Sequence, residues 1–418
     1  MKILFITELA SIHAARWINQ FQDQNWDIHV FQGLPRSIGV CPEFRVGKFY
    51  IPSISPIPNN LPYQLTITNN FLTQIAGRII RKFNLRGRFP NNNLLKKLSG
   101  EFALAYSLAD VIQTIKPDII HSLGLNINWE NMMISVSRAR QILGGFNVPW
   151  VYSSWGADLM HFPNISTLHR KGVEEVLSLC DYHISECERD ANLAREFGFD
   201  GEMLGFLPAF GGVTWDAAQY KIHAHPSQRR TILIKGRDIT GGDPQGRALS
   251  IMSALALCKE DLLNYRIVIC HAAPSVSYEA AILGAVSGLD IQIIPHLDYH
   301  SWLRIMGGSR LLIAATVTDG LPGTLVEAMS LGALPVHSGV DSVQEWIQDG
   351  VNGLLIPPED PDKIAQAIRR AVKDDDLVDK AAEINEKIVN EKLSDTYVKP
   401  KAVEMYRHAV RRGKKYQQ

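Results

Sequence analysis

The 418-residue sequence has no surplus of charge of either sign, because 43 Lys and Arg residues balance 43 Asp and Glu residues. A balanced charge disfavours a dedicated nucleic-acid-binding protein, which needs a basic surface. Cysteine is also scarce, with five residues and no Cys-x-x-Cys pair. Disulfide frameworks and zinc sites are therefore not expected, and a reducing cytoplasm fits. No stretch holds the roughly 20 apolar residues of a membrane-spanning helix, and the opening MKILFITELA predicts a buried strand and not a signal peptide.

Short apolar runs alternate with longer amphipathic stretches along the chain, in two series. The runs predict strands, and the longer stretches predict helices. The predicted strands are 2–7, 28–32, 118–122, 149–154 and 182–185, then 231–235, 265–270, 290–294, 310–316, 333–337 and 353–357, and the predicted helices include 323–331, 341–349 and 361–373. Repeated strand–helix alternation predicts two α/β domains, each with a doubly wound parallel sheet. We expect domains at 1–205 and 206–395, with a C-terminal helix, 396–418, that packs back on the first.

The stretch TDGLPGTLVEAMSLGALPVHSG, 318–339, has the order strand, turn, helix, strand. Gly320 and Gly323 let the backbone approach a ligand closely, and Gly332 is suited to ending the helix. The helix start near Pro322–Leu325 presents free N–H groups and the positive end of the helix dipole. This start predicts an anion site that suits a diphosphate.

Two carboxylates accompany this helix start, Asp319 before it and Glu327 inside the helix. An ionised carboxylate accepts several hydrogen bonds, which suits sugar hydroxyls and does not suit phosphate. Each has a plainer interpretation when taken singly, Asp319 as a helix-capping residue and Glu327 as a solvated helix position. The whole strand–turn–helix–strand unit favours the ligand-binding interpretation.

The segment resembles the C-terminal-domain signature of retaining glycosyltransferases of family 4, which have the GT-B fold. Glu327-Ala328-Met329, Gly332 and Pro335-Val336 match that signature, Asp319 stands where the family usually has Glu, and 343–368 matches the family's usual continuation. The resemblance implies two Rossmann-like domains facing across a cleft. It also implies that Asp319 contacts the donor sugar, that Glu327 binds the nucleotide ribose, and that the backbone of Gly323, Thr324 and Leu325 meets the diphosphate.

The stretch 232–249 resembles the strand–Gly–Arg loop of the same family, through Gly236-Arg237. The lysine that usually follows is absent, and we expect Arg247 to replace it. A guanidinium fork suits phosphate oxygens, so Arg237 and Arg247 are predicted to stabilise the departing diphosphate. The alternative for Arg237 is a surface salt bridge, and Arg247 has no stronger claim to the ligand role than to a structural one.

Three loops of the first domain carry further candidates. His13 and Arg16 resemble a His-x-x-Arg-Trp pattern of many bacterial members, and we expect them on the acceptor side. His121, in DIIHSLG, is expected to touch the donor sugar, and Asp158, in SSWGADLMHF, to orient an acceptor hydroxyl. The alternatives are a helix-capping or merely exposed His13 and a loop Asp158 that bonds its own backbone. No GxGxxG motif is present, which disfavours a dinucleotide enzyme.

Between Phe44 and Gly100 there are nine Lys or Arg residues and no Asp or Glu. Apolar residues recur there at helical spacing, and the stretch 71–97 is typical of a helix on an anionic membrane surface. A core-facing helix with a basic solvent face fits equally, and a basic pocket for a phosphorylated lipid acceptor is a third interpretation. The acidic triplet at 374–376 is predicted to start a helix and not to bind a metal.

The resemblance implies a retaining, metal-independent glycosyltransferase that moves a sugar from a nucleoside diphosphate sugar to an acceptor hydroxyl. No cofactor is expected, and in the family the leaving phosphate takes the acceptor proton. A sugar or lipid-linked acceptor, a role in bacterial-type polysaccharide or glycolipid synthesis, and a cytoplasmic location at the inner face of the membrane are further expectations. Two other classes stay open, a catalytically silent GT-B protein that binds a nucleotide sugar or a partner, and a nucleotide-sugar epimerase.

Overall fold

The computed structural model describes residues 1–33, 40–52, 65–68, 101–124, 134–145, 147–243, 245–295 and 297–415. The predicted membrane-surface stretch 71–97 lies outside the described residues. In the part of the chain that is described, no helix is long and apolar enough to cross a membrane. The chain divides into two compact units. Unit 1 comprises Met1–Gly211 and Val398–Gln418, and unit 2 comprises Gly212–Tyr397.

Unit 1 is built on an eight-stranded parallel sheet with the order β4-β3-β2-β1-β5-β6-β7-β8. The strands are β1 Lys2–Thr7, β2 Asp27–Gln32, β3 Lys48–Pro52, β4 Leu65–Thr68, β5 Ile119–Leu123, β6 Trp150–Ser153, β7 Tyr182–Ser185 and β8 Glu202–Phe206. The helices described between them are α1 Ile12–Asn19, α2 Glu101–Ile115, α3 Ile134–Ile142, α4 Phe162–Ile165, α5 Thr167–Leu177 and α6 Glu188–Glu196. The strand order reverses between β1 and β5, as a doubly wound sheet requires.

Unit 2 has a six-stranded parallel sheet with the order β11-β10-β9-β12-β13-β14. The strands are β9 Thr231–Lys235, β10 Arg266–Cys270, β11 Asp290–Ile294, β12 Ser309–Ala314, β13 Leu334–Ser338 and β14 Leu354–Ile356. The helices are α7 Ala248–Leu257, α8 Lys259–Leu262, α9 Pro274–Ser287, α10 Tyr299–Gly307, α11 Gly323–Leu331, α12 Asp341–Gln344, α13 Pro361–Lys373 and α14 Asp375–Lys392. The order reverses between β9 and β12, so these two strands mark the point where a doubly wound sheet binds its ligand.

The final helix, α15 Asp395–Lys415, contributes to the core of unit 1 from Val398 onward. Tyr406 on this helix is fully buried. Its hydroxyl accepts a hydrogen bond from Trp17 Nε1 at 2.9 Å and lies 2.5 Å from His121 Nδ1. The rings of Phe5 and Phe21 surround Tyr406 at edge-on angles. A buried aromatic cluster therefore fixes α15 against the first strand and the first helix of the unit.

The predicted fold class, two doubly wound parallel-sheet domains, is confirmed by this topology. The predicted helix 323–331 coincides with α11, and Gly332 ends it in the left-handed conformation at φ 77°. The predicted helix 341–349 is shorter in the structure, because α12 ends at Gln344. Three strands, β3, β4 and β8, were not predicted. The last of them is an edge strand in which Glu202 and Gly205 break up the apolar run.

Candidate functional site

The carboxyl ends of β9 and β12 lie side by side in unit 2, because the two strands pair in parallel with Ile234 opposite Ile313. The chain leaves β9 through Lys235, Gly236 and Arg237, and it leaves β12 toward the turn at 318–322. In an open α/β sheet, ligands bind outside the carboxyl ends of the strands where the strand order reverses. The residues that follow these two strands therefore form the candidate site.

The helix α11 begins directly above this edge and has no side-chain cap from the described residues. Its N-cap residue is Pro322, whose carbonyl accepts from the N–H of Leu325 at 3.0 Å and of Val326 at 3.3 Å. The N–H groups that precede these two have no partner within the helix. The first turn also holds no acidic side chain. An uncapped helix start of this kind provides donors and a positive potential for an anion.

Two threonine hydroxyls add to this set of donors. Thr318 is almost fully buried in the turn after β12, and Thr324 lies in the first turn of α11. The Oγ1 atom of each is buried without a hydrogen-bond partner among the described residues. A buried hydroxyl without a partner is costly, so it is satisfied when a ligand oxygen supplies one.

Glu327 is only 5% exposed, which rules out the solvated position considered from the sequence. Its Oε1 accepts from the Tyr299 hydroxyl at 3.0 Å, and its Oε2 accepts from Trp302 Nε1 at 2.7 Å. Both donors come from α10. These two donors fix the orientation of the Glu327 carboxylate, which as an ion can accept several hydrogen bonds.

Lys235 is a charged residue of this site that the sequence analysis missed. It is partly buried at the last position of β9. Burial lowers the pKa of Lys235, the carboxylates of Asp319, Asp243 and Glu327 act in the opposite direction, and Arg237 lowers the pKa further. These five charged groups are therefore electrostatic neighbours. A lysine directly after the apolar run 232–234 was the signal that the sequence offered.

Arg237 and Arg247 differ in their surroundings. The Arg237 side chain is 57% exposed, and its guanidinium lies 3.6 Å from Asp243, a distant ion pair at the mouth of the site. Arg247 donates from Nε to Glu359 at 2.5 Å and from a terminal nitrogen to its neighbour's carbonyl at 2.8 Å. Arg247 therefore forms a close ion pair with Glu359, whereas Arg237 has only a distant ion pair and is largely exposed to solvent.

Asp319 and Gly320 lie in the turn between β12 and α11. The Asp319 carboxylate accepts from the N–H of Gly320 at 2.9 Å, and the Asp319 carbonyl accepts from the Ser342 hydroxyl at 2.8 Å. These bonds hold the turn in place and do not cap α11. Gly323 is the first residue of α11. The predicted donor-binding residues within 319–327 therefore all lie at one edge of the unit 2 sheet. They are Asp319, Gly320, Gly323, Thr324, Leu325 and Glu327.

His121 does not occupy the ligand-accessible position that the sequence analysis expected. It lies in the middle of β5 with no exposed surface. Its ring nitrogens bond the Tyr406 hydroxyl at 2.5 Å and the Ser153 hydroxyl at 2.7 Å. Burial lowers the pKa of His121 to about 3, so the ring is neutral. The prediction of a donor-sugar contact is corrected, because α15 covers this side chain.

Asp158 is also a structural residue. It is buried, and its Oδ2 accepts from the N–H of Trp155 at 2.9 Å. The Asp158 carbonyl lies 3.3 Å from Nε2 of His169. The structure therefore supports the alternative of a loop aspartate that bonds its own backbone, and a contact between Asp158 and an acceptor stays a prediction.

His13 is exposed near the start of α1, and the cap of that helix is Ser11, whose hydroxyl accepts from the N–H of Ala14 at 3.3 Å. The His13 ring centroid lies 6.3 Å from Trp155 and 6.4 Å from Phe210. Arg16, one turn further along α1, is partly buried. His13 is thus not a capping residue, and the structure brings it together with two aromatic side chains that the sequence analysis did not single out.

The acidic triplet begins α14, as predicted. Asp374 caps the helix through the N–H of Leu377 at 3.0 Å. Asp375 pairs with the buried Arg310 at 2.6 Å. Within the described ranges, no group of three or more His, Cys, Asp or Glu side chains is arranged to hold a metal ion.

Comparisons with known proteins bear on this site. Residues 245–374 match the family model described as glycosyl transferases group 1. The matched range contains the turn after β12 and the whole of α11. A search of curated proteins gives no match.

Solved structures resemble the whole chain. Sucrose-phosphate synthase from Thermosynechococcus elongatus has a TM-score of 0.64 at 14% identity, covering 98% of each chain. HepE from Anabaena in complex with UDP-glucose has a TM-score of 0.63 at 13% identity, covering 98% of this chain and 100% of HepE. The lipopolysaccharide outer core galactosyltransferase WaaB has a TM-score of 0.61 at 16% identity, covering 97% of this chain and 99% of WaaB. At these identities the likeness establishes the fold, which is GT-B. The fold and the family match together support a group 1 glycosyltransferase.

Proposed function

We propose that the protein is a retaining glycosyltransferase that moves a glycosyl group from a nucleoside diphosphate sugar to an acceptor hydroxyl, with the donor bound by unit 2. One observation carries this proposal. At the carboxyl ends of β9 and β12, an uncapped helix start lies above a buried carboxylate, Glu327, that Tyr299 and Trp302 hold in one orientation. A diphosphate needs the first feature, and a ribose diol needs the second.

In this proposal different residues of the site bind the diphosphate, the ribose and the sugar of the donor. The diphosphate lies against the first N–H groups of α11 at Gly323 and Thr324, with Arg237 at its exposed side. The ribose hydroxyls donate to Glu327. Asp319, in the turn next to the helix start, accepts hydroxyl groups of the donor sugar.

The chemistry needs charge stabilisation at the leaving group. The bond between the anomeric carbon and the diphosphate oxygen breaks, and a bond from that carbon to the acceptor oxygen forms on the same face. The acceptor proton passes to the departing phosphate oxygen, so atoms and charge balance. The negative charge that develops on the diphosphate is stabilised by the helix start and by Arg237. In this proposal the reaction draws on no metal ion and no organic cofactor.

The acceptor side of the proposal rests on unit 1. The exposed His13 lies beside Trp155 and Phe210 near the carboxyl ends of β1 and β6. We propose a sugar or a lipid-linked sugar as acceptor, in bacterial-type cell-surface polysaccharide or glycolipid synthesis. The basic stretch 71–97 would then place the enzyme on the inner face of the membrane. Flotation with anionic and neutral vesicles at low salt tests this placement, and a protein that ignores anionic vesicles contradicts it.

The donor assignment is tested by turnover. Purified protein is incubated with UDP-, GDP- and ADP-sugars, and release of the free nucleoside diphosphate is followed with and without candidate acceptors. UDP-glucose comes first, because HepE has been crystallised with it. We expect release from donors of one base, and loss of that release in Arg237→Ala. A protein that binds a nucleotide sugar without turning it over is instead the silent GT-B protein, and one that binds none of these donors refutes the proposed function.

A further inference from the structure

We propose that Lys235 is the cation that makes this site attractive to a diphosphate. The inference rests on the proposed function and names a binding residue for it. Lys235 ends β9 at the point where the strand order reverses, opposite the last residues of β12. It therefore lies partly buried at the end of the sheet beside the candidate site, whereas Arg237 lies beside the site at the exposed surface.

The Lys235 ammonium has no hydrogen-bond or ion-pair partner among the described residues, although Lys235 is partly buried. A cation removed from water needs hydrogen bonds and a close counter-charge, and none of the described carboxylates that act on Lys235 forms an ion pair with it. An anionic ligand oxygen would supply both, as it would for the Thr318 and Thr324 hydroxyls that also lack partners among the described residues.

The charged groups around Lys235 are mostly carboxylates. Asp319, Asp243 and Glu327 all act on Lys235 electrostatically. Without Lys235, the described charged groups of this neighbourhood would be three carboxylates and one cation, Arg237. A diphosphate would be repelled there, because like charges at short range are costly. The carboxylates that suit the hydroxyls of the donor therefore require a second cation for its phosphates.

The backbone that carries Lys235 is held firmly at the end of β9. The residue that follows, Gly236, has no room for a side chain, because an added Cβ would lie 2.7 Å from Ala272 Cα and 2.9 Å from Ile269 Cγ2. The Gly236 N–H also donates to the Cys270 carbonyl at 2.8 Å. The backbone at the end of β9 is thus fixed, and the Lys235 side chain starts from a defined point. A fixed starting point lowers the conformational cost of bringing the ammonium to a ligand.

The test compares Lys235→Gln and Lys235→Arg with the wild-type protein, and uses Lys363→Gln, an exposed lysine of the same unit, as the matched control. Calorimetry measures the affinity for UDP, GDP and ADP, and ligand-observed NMR measures the affinity for the corresponding nucleosides. For the diphosphate that the wild type binds, we expect Lys235→Gln to weaken binding about 10- to 100-fold, the range of a charge-assisted hydrogen bond. Nucleoside binding should stay within twofold, and Lys235→Arg should restore part of the loss.

The outcomes separate this inference from the function on which it rests. If the wild type binds a nucleoside diphosphate and Lys235→Gln binds it equally well, the role of Lys235 is refuted and the proposed function stands. If Lys235→Gln weakens the binding of the diphosphate and of the nucleoside to the same extent and lowers the melting temperature, the role of Lys235 is structural and the inference is again refuted. If the wild type binds none of the three diphosphates, the proposed function fails first.

Discussion

The replacement Glu327→Gln perturbs the candidate site with the least change of shape. In the structure, Glu327 accepts from Trp302 Nε1 at 2.7 Å and from the Tyr299 hydroxyl at 3.0 Å. A glutamine amide keeps one acceptor for Trp302, and its NH2 group donates to the Tyr299 oxygen, which accepts as well as donates. The fold should therefore be retained, with a loss of about 1–2 kcal/mol in the free energy of unfolding.

Nucleotide binding should suffer more than stability. Hydrogen bonds to a charged acceptor contribute about 1.5–3 kcal/mol, roughly twice the contribution of neutral ones. Because the glutamine oxygen serves Trp302 and its NH2 group can only donate, the ribose loses its acceptor, which should cost about 1.5–3 kcal/mol in binding, a 10- to 150-fold rise in the Kd of the nucleoside diphosphate. Calorimetry with UDP, GDP and ADP measures this directly.

A double-mutant cycle identifies the ribose as the cause. The second change is made in the ligand, by removing its 2′-hydroxyl. In the wild type the 2′-deoxy nucleotide should bind more weakly by about 1.5–3 kcal/mol, and in Glu327→Gln it should bind nearly as well as the ribonucleotide. Glu383→Gln, an exposed glutamate of α14, is the control and should change neither affinity. Equal losses in both backgrounds would show that Glu327 and the ribose do not interact.

Two further predictions concern stability. Tyr406→Phe should lower the free energy of unfolding by about 2–4 kcal/mol, because Trp17 Nε1 and His121 Nδ1 both lose their partner in a buried cluster; a denaturant midpoint equal to the wild type would contradict this. Burial lowers the pKa of His121 and His183 to about 3 and of His337 to about 4, so the unfolded chain binds more protons than the folded one below about pH 6.5. Stability should thus fall as the pH drops from 7 toward 4, by about 2 kcal/mol per histidine at pH 5, and equal denaturation curves at pH 7 and 5 would contradict it.

The buried parts of the fold were predictable because they carry an unbroken local pattern. The strands 182–185 and 231–235 were predicted to the residue, since buried parallel strands are short apolar runs, and the edge strand 290–294 was predicted equally well. The helix α11 was predicted equally well, because a glycine follows it in the left-handed conformation. The edge strand β8 was missed, because Glu202 and Gly205 interrupt any apolar run there.

The candidate site was only partly predictable, because some of its properties depend on contacts distant in sequence. The motif at 318–327 indicated a nucleotide site without reference to the rest of the chain. His121, by contrast, is covered by Tyr406, 285 residues further along, and no local pattern indicates that contact. Lys235 was overlooked because it follows an apolar run in its strand, and its importance depends on the neighbouring β12 and the turn that follows it.

The central claim is that unit 2 binds a nucleoside diphosphate at the carboxyl ends of β9 and β12. The most direct measurement is a crystal structure of the protein with the nucleoside diphosphate that it binds in calorimetry. We predict the diphosphate within hydrogen-bond distance of the Gly323 and Thr324 N–H groups and the Lys235 ammonium, with the ribose hydroxyls on Glu327. A nucleotide bound elsewhere, or one whose ribose lies away from Glu327, would contradict the account.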